Sequence, residues 1–166
     1  MNLGNLKAKN QNYLITRYQS SGEIAGAILK AIDESKASAL EIAPYFKNKN
    51  PYTSAKLIFL FCKQAVPYVK EPSSKQTAKT LPRILQDGAL HGGDCKHYAI
   101  LSASLCKALG IPVKLRLISQ NFYDKTPNHI YSVAKINGKE VIIDGVLKNF
   151  DTEARYNHKY DINLIK

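Results

Sequence analysis

Tryptophan is absent from this chain, methionine occurs once, and the longest unbroken apolar run, Leu57 to Cys62, is six residues. Against the roughly 20 residues that cross a bilayer, that run is far too short for a membrane-spanning helix. Cysteine is scarce and odd in number, three in 166 residues, and no apolar signal segment follows Met1-Asn2-Leu3-Gly4. These features argue against a secreted fold built on disulfides and predict a reducing, cytoplasmic compartment. Acidic residues are few, 13 against 24 basic ones, for a net charge of +11. A surplus of base attracts acidic partners. Here, though, the lysines scatter from Lys7 to Lys166 and form no aromatic-interleaved basic motif, so no specific nucleic-acid recognition is expected.

What is present is ordinary globular composition, 45% hydrophobic and 22% charged, in a chain long enough for one domain and too short for two. Beyond the first dozen residues no segment is biased enough to predict disorder. Ser20 and Glu23 have capping-box spacing ahead of Ile24, Ala25, Ile28, Leu29 and Ile32, which predicts a helix from about Gly22 to Asp33, continuing with a break toward Tyr45. Asn50-Pro51 reads as the N-cap and first position of a second helix that ends near Pro67. Glu71 to Pro82 has loop composition, Leu81 to Leu85 a short helical turn, and Asp87-Gly88 and Gly92-Gly93 flexible breaks. A third helix spans about Asp94 to Leu109 and stops at Gly110-Ile111-Pro112.

Val113, Leu115 and Leu117 then alternate with Lys114 and Arg116 as a strand, and Asn121 to Asn128 is a polar loop. His129 to Ile136 and Lys139 to Asp144 flank Asn137-Gly138, the strongest short hairpin signal in the chain. Beyond about Asp151 no periodicity is legible, although Tyr156, Tyr160, Ile162 and Leu164 could add an edge strand. The predicted organisation is one domain over 1–166: a helical amino-terminal part to about residue 79, a core over about 80–150, and a tail over 151–166.

Cys95 carries the chemistry. It stands in the first turn of a hydrophobic helix, where the helix dipole and free N–H groups favour thiolate and supply oxyanion donors. If Asn137 and Gly138 are the central turn residues, Tyr131 faces Asp144 and His129 is its diagonal neighbour, all on one sheet face. A bulged three-residue loop would move Asp144 to the other face. In the two-residue register, Cys95 is the nucleophile, His129 the base and Asp144 the group that orients His129. Asp94 reads as the N-cap, its charge opposing a thiolate at Cys95, so that His129 must supply the compensating positive charge. Gln86 is the candidate side-chain oxyanion donor, with His91 the alternative. Tyr131 either shapes a substrate pocket or fills the sheet face. His97, two residues past Cys95, points elsewhere as a surface or supporting polar group. Cys62 and Cys106 read as core. No zinc-ligand spacing is present, so neither metal nor cofactor is expected.

Gly93-Asp94-Cys95, with Ala99, Leu105 and Leu109-Gly110-Ile111-Pro112-Val113, followed by a strand-borne His129 and Asp144, resembles the transglutaminase-like core of the papain-like cysteine proteases. The resemblance spans about Leu81 to Phe150. It implies an α+β fold with the cysteine helix on an antiparallel sheet, and acyl transfer through a thioester on Cys95. Hydrolysis of a peptide or amide, with an acidic protein among the expected substrates, is favoured over amine transfer to a protein glutamine. The alternative is an inactive binding or structural module of the same fold. Small single-domain versions occur in bacterial and phage proteins, which adds a virion to the expected locations.

Overall fold

The computed structural model describes residues 10–15, 21–72 and 74–164. Its helices are α1 (Ser21–Glu34), α2 (Lys36–Ile42), α3 (Pro51–Ala65), α4 (Leu81–His91) and α5 (Cys95–Ala108), with a 3-10 turn at Ala43–Phe46. Its strands are β1 (Asn12–Ile15), β2 (Gln76–Lys79), β3 (Val113–Ser119), β4 (His129–Ile136), β5 (Lys139–Ile143) and β6 (His158–Asn163). β5, β4, β3 and β6 lie in that order in one antiparallel sheet, and β1 pairs antiparallel with β2 in a separate ribbon. No helix among the described residues is long and apolar enough to cross a membrane.

Every residue of α5 from Lys96 to Cys106 is buried, so this helix is the axis of the molecule rather than an amphipathic surface element. The helices α1, α2 and α3 contact it, and Leu115, Leu117, Ile130, Ala134 and Ile143 of the sheet join it in one core. The opposite sheet face is covered as well, by Ala154 and Tyr156 over Ile118, Tyr131, Val133 and Ile142. This explains why the expected polar face of β3 is not solvated. Arg116 is only 2% exposed and is bonded by Asp161, Glu153 and Glu140, the pairing that a buried guanidinium requires.

Asn137 and Gly138 both have positive φ, 51° and 78°, as a tight two-residue hairpin turn demands. Ile136 therefore pairs with Lys139 and Ser132 with Ile143, the register expected from the turn residues. Asn50 caps α3 by accepting from the Tyr52 N–H at 3.0 Å, and β6 pairs with β3 as the added edge strand.

Three expectations need correction. α4 is an 11-residue helix that runs through Asp87-Gly88. Gly88 serves close packing there, since a Cβ would come within 2.9 Å of Val66. The loop-like segment after Glu71 contains β2, and the residue range left open to disorder contains the start of β1. These two strands complete each other, which local composition does not reveal. The Ser20 half of the expected capping box lies outside the described residues.

The break between α1 and α2 has a structural task. Ser35, fully buried, donates to the Ala31 carbonyl and accepts from the Leu81 N–H at 2.8 Å, satisfying an orphan donor in the first turn of α4. Ser35→Ala should destabilise the fold by about 1–3 kcal/mol, the cost of a buried unpaired N–H. Urea denaturation should register this as a lower midpoint with an unchanged slope.

Candidate functional site

The start of α5 is built by three local devices. Asp94, with extended backbone, accepts from the Lys96 N–H at 3.2 Å, and its own N–H donates to His97 Nδ1 at 3.1 Å, a reciprocal cap. Gly93 is clasped by the segment after α3. Its N–H donates to the Pro67 carbonyl and its carbonyl accepts from the Val69 N–H, both at 2.9 Å. Gly92 turns the chain into this clasp at φ +67°, and a Cβ there would meet the Pro67 carbonyl oxygen at 2.6 Å. The Gly92-Gly93 pair is thus a tight junction and not the flexible break expected. Cys95 emerges from it half-buried, whereas Cys62 and Cys106 are fully buried with their thiols pushed up by desolvation.

His129 opens β4, and its Nε2 lies 2.7 Å from Asp144 Oδ2. With Nε2 committed to the carboxylate, Nδ1 is the imidazole nitrogen left free, and Cys95 is the other neighbour that acts on the ring. Burial opposes a charged imidazole. The hydrogen bond and negative charge of Asp144, with a further contribution from the neighbouring Cys95, outweigh that penalty and lift His129 to about 9. Asp144 is 3% exposed, and its second oxygen accepts from the Val146 N–H at 3.0 Å. The turn that carries it is tied to α3, where Lys63 Nζ donates to the Gly145 and Leu147 carbonyls at 3.1 and 2.8 Å. A thiol, an imidazole and a carboxylate in series can move a proton to and from sulfur and can support nucleophilic chemistry.

The structure brings Cys95, His129 and Asp144 together and leaves Gln86 apart from them. Gln86 sits on the exposed side of α4, and its side-chain oxygen accepts from Asn10 Nδ2. His91 is exposed at the end of the same helix. Tyr131 is 1% exposed, with its hydroxyl donating to Glu153 at 2.9 Å and its ring 5.5 Å from that of His129. It fills the sheet face under His129 and offers no open wall to a pocket. Of the two readings of His97, surface or supporting group, the structure has the second: the ring is buried and accepts from the Asp94 N–H.

Sequence reading missed Tyr68, Lys63 and Lys96. Tyr68 is half-exposed and pairs with Gly93 as an isolated bridge. Burial, and then the charges of Cys95, Asp94 and Asp144, raise its hydroxyl above the ordinary range and keep it a donor. Its only sequence signal was an aromatic after Pro67. Glu71, Asp94 and His97 bring possible ligand atoms within 4.8 Å of one another, but the Lys96 ammonium is paired with both carboxylates.

Because His129 is raised above its unfolded value of about 6.5, its contribution to stability is complete below that pH and is lost as pH rises through about 9. The free energy of unfolding should therefore decline by on the order of 1–3 kcal/mol across that window. His129→Ala should flatten this part of the profile, as read by denaturant titrations at a series of pH values.

A sequence profile described as the transglutaminase-like superfamily matches residues 40–160, reaching further toward the amino terminus than the motifs between Leu81 and Phe150. Among solved structures, the chain is similar to a proposed cysteine protease from Cytophaga hutchinsonii, with TM-score 0.53 and 20% identity over 79% of this chain and 44% of that one. It is also similar to a proposed protease from Parabacteroides distasonis, with TM-score 0.59 and 17% identity over 88% of this chain and 30% of that one. The chain thus spans less than half the length of either structure. At these identities the likeness concerns the fold. The comparison with curated proteins finds no match.

Proposed function

This chain belongs to the transglutaminase-like superfamily, and on that premise we propose that it is a cysteine peptidase or amidase. The observation that carries this reading is the position of His129, hydrogen-bonded to Asp144 with Cys95 as its other neighbour. In the proposed reaction the Cys95 thiolate attacks the substrate carbonyl carbon. The Cys95 N–H at the helix start and the Tyr68 hydroxyl donate to the oxygen that gains charge. His129 passes its Nδ1 proton to the leaving nitrogen as the C–N bond breaks, which leaves a thioester and a neutral imidazole. Water then gives a proton back to His129 as it attacks the thioester, releasing the acid and restoring the thiolate–imidazolium pair.

Hydrolysis is favoured over amine transfer because Cys95 is only half-buried and Tyr68 beside it is 49% exposed, so water has access. The charge of +11 favours acidic peptides as substrates.

The test is digestion of a mixed peptide library, read by mass spectrometry in the presence and absence of a primary amine. Cleaved products bearing free carboxylates are expected; amine adducts would reverse the preference, and no products at all would favour the inactive-module alternative. Cys95→Ala should abolish turnover. Tyr68→Phe should lower kcat on the order of 10²-fold with little change in KM, as loss of an oxyanion donor does. Turnover should also fall as pH rises past about 9, where His129 loses the proton owed to the leaving group.

A further inference from the structure

At the end of α5 remote from Cys95, about 20 Å along the helix axis, α1, α2, the turn after α5 and Leu164 beyond β6 line a groove of about 630 Å³. That lies within the roughly 300–1,000 Å³ of small-molecule sites. Its floor is apolar: Ile32, Ala39, Ile111 and Val113 are buried, and Leu40 on the rim is 52% exposed. Ser104 also lines it and is 3% exposed, yet its hydroxyl has no hydrogen-bond partner among the described residues. Ser102, two residues earlier, shows the usual arrangement: its hydroxyl lies 2.7 Å from the Tyr98 carbonyl oxygen and 2.8 Å from the Ser132 hydroxyl. A buried hydroxyl left without a partner costs stability, and a ligand oxygen would relieve that cost. The mouth carries charge. Lys36 is exposed and has no charged partner among the described residues. Lys107 lies 3.5 Å from Asp33, whose side chain is 74% exposed, a surface pair that contributes little and that a second carboxylate can share. The last carbonyls of α5, which would repel an anion, are taken up by the N–H groups of Leu109, Gly110 and Ile111. Two ammonium groups against one carboxylate leave the mouth positive.

We propose that this groove binds an apolar carboxylate of the fatty-acid class, with the hydrocarbon chain on the apolar floor and the carboxylate held by Lys36, Lys107 and the Ser104 hydroxyl. Ser104 and Lys107 stand three residues apart on α5 and so share a face. One carboxylate can therefore accept from both, with a change of the Ser104 rotamer at most. The chain's charge of +11 adds a long-range attraction for the anion. The apolar floor selects a long tail, since a short carboxylate would gain nothing from it. The site goes beyond the peptidase reading and does not depend on it, because it lies at the opposite end of α5 and uses no residue of the Cys95 site.

The test is calorimetric titration of the full chain with decanoate, beside decyltrimethylammonium, which keeps the tail and reverses the charge, and acetate, which keeps only the carboxylate. Decanoate should bind one per chain, decyltrimethylammonium about tenfold more weakly, and acetate not measurably. Lys36→Glu, at an exposed position that leaves the fold alone, should reverse the preference between the two long-tailed probes. Ala108→Phe, which fills the groove from its half-buried wall, should abolish binding of both. Ser104→Ala should weaken decanoate about fivefold while keeping a urea midpoint no lower than wild type, because the hydroxyl removed had no partner. Wild type that does not bind decanoate, equal affinity for decyltrimethylammonium, or a preference unmoved by Lys36→Glu would each overturn the proposal. So would a dimer in sedimentation that Ala108→Phe dissociates, which would assign the groove to a second copy of the chain.

Discussion

The register of one hairpin sets the position of the two residues, His129 and Asp144, that stand by Cys95. Asn137 and Gly138 adopt the positive φ of a two-residue turn, so the strands on either side pair without a bulge and carry Asp144 to within hydrogen-bonding distance of His129. A slip of one residue would turn the carboxylate to the opposite sheet face. The imidazole would then lose the partner that fixes its tautomer and favours its charged form. The hairpin is held from both sides, by α5 against one face and by the tail segment with Ala154 and Tyr156 against the other. Core packing and site geometry are therefore one constraint.

Cys95 is supported from elsewhere. The segment after α3 clasps Gly93 through two backbone hydrogen bonds, Tyr98 of α5 donates to the Val66 carbonyl at 2.6 Å, and Lys63 of α3 ties down the turn beyond Asp144. The helical amino-terminal part thus touches both halves of the site, the cysteine helix and the acid-bearing turn. Charge is balanced pair by pair. Asp144 faces His129, while Asp94 faces Lys96, so neither buried carboxylate stands uncompensated.

Legibility in the sequence followed the range of the interaction. The α3 cap at Asn50, the cysteine helix, the Asn137-Gly138 turn and the strand register are written in residues a few positions apart, and the structure has them as read. The proximity of His129 to Asp144 was legible for the same reason, being a consequence of turn chemistry. The β1–β2 ribbon was not, because each strand is four residues long and each needs the other. The continuity of α4 through Gly88 depends on Val66 lying against it. Tyr68, Lys63 and Lys96 act through contacts that the fold creates, and the choice between a surface and a supporting His97 was made by the N-terminal cap, which draws its ring inward.

The central proposal is that Cys95 and His129 form an ion pair oriented by Asp144. Its most direct test is the titration of the His129 imidazole by NMR in the native chain and in Cys95→Ala. The account predicts that His129 stays protonated through neutral pH and titrates near 9, at a lower value once the thiol is removed. A His129 that titrates near 6.5, the ordinary imidazole value, with no response to Cys95→Ala would contradict it.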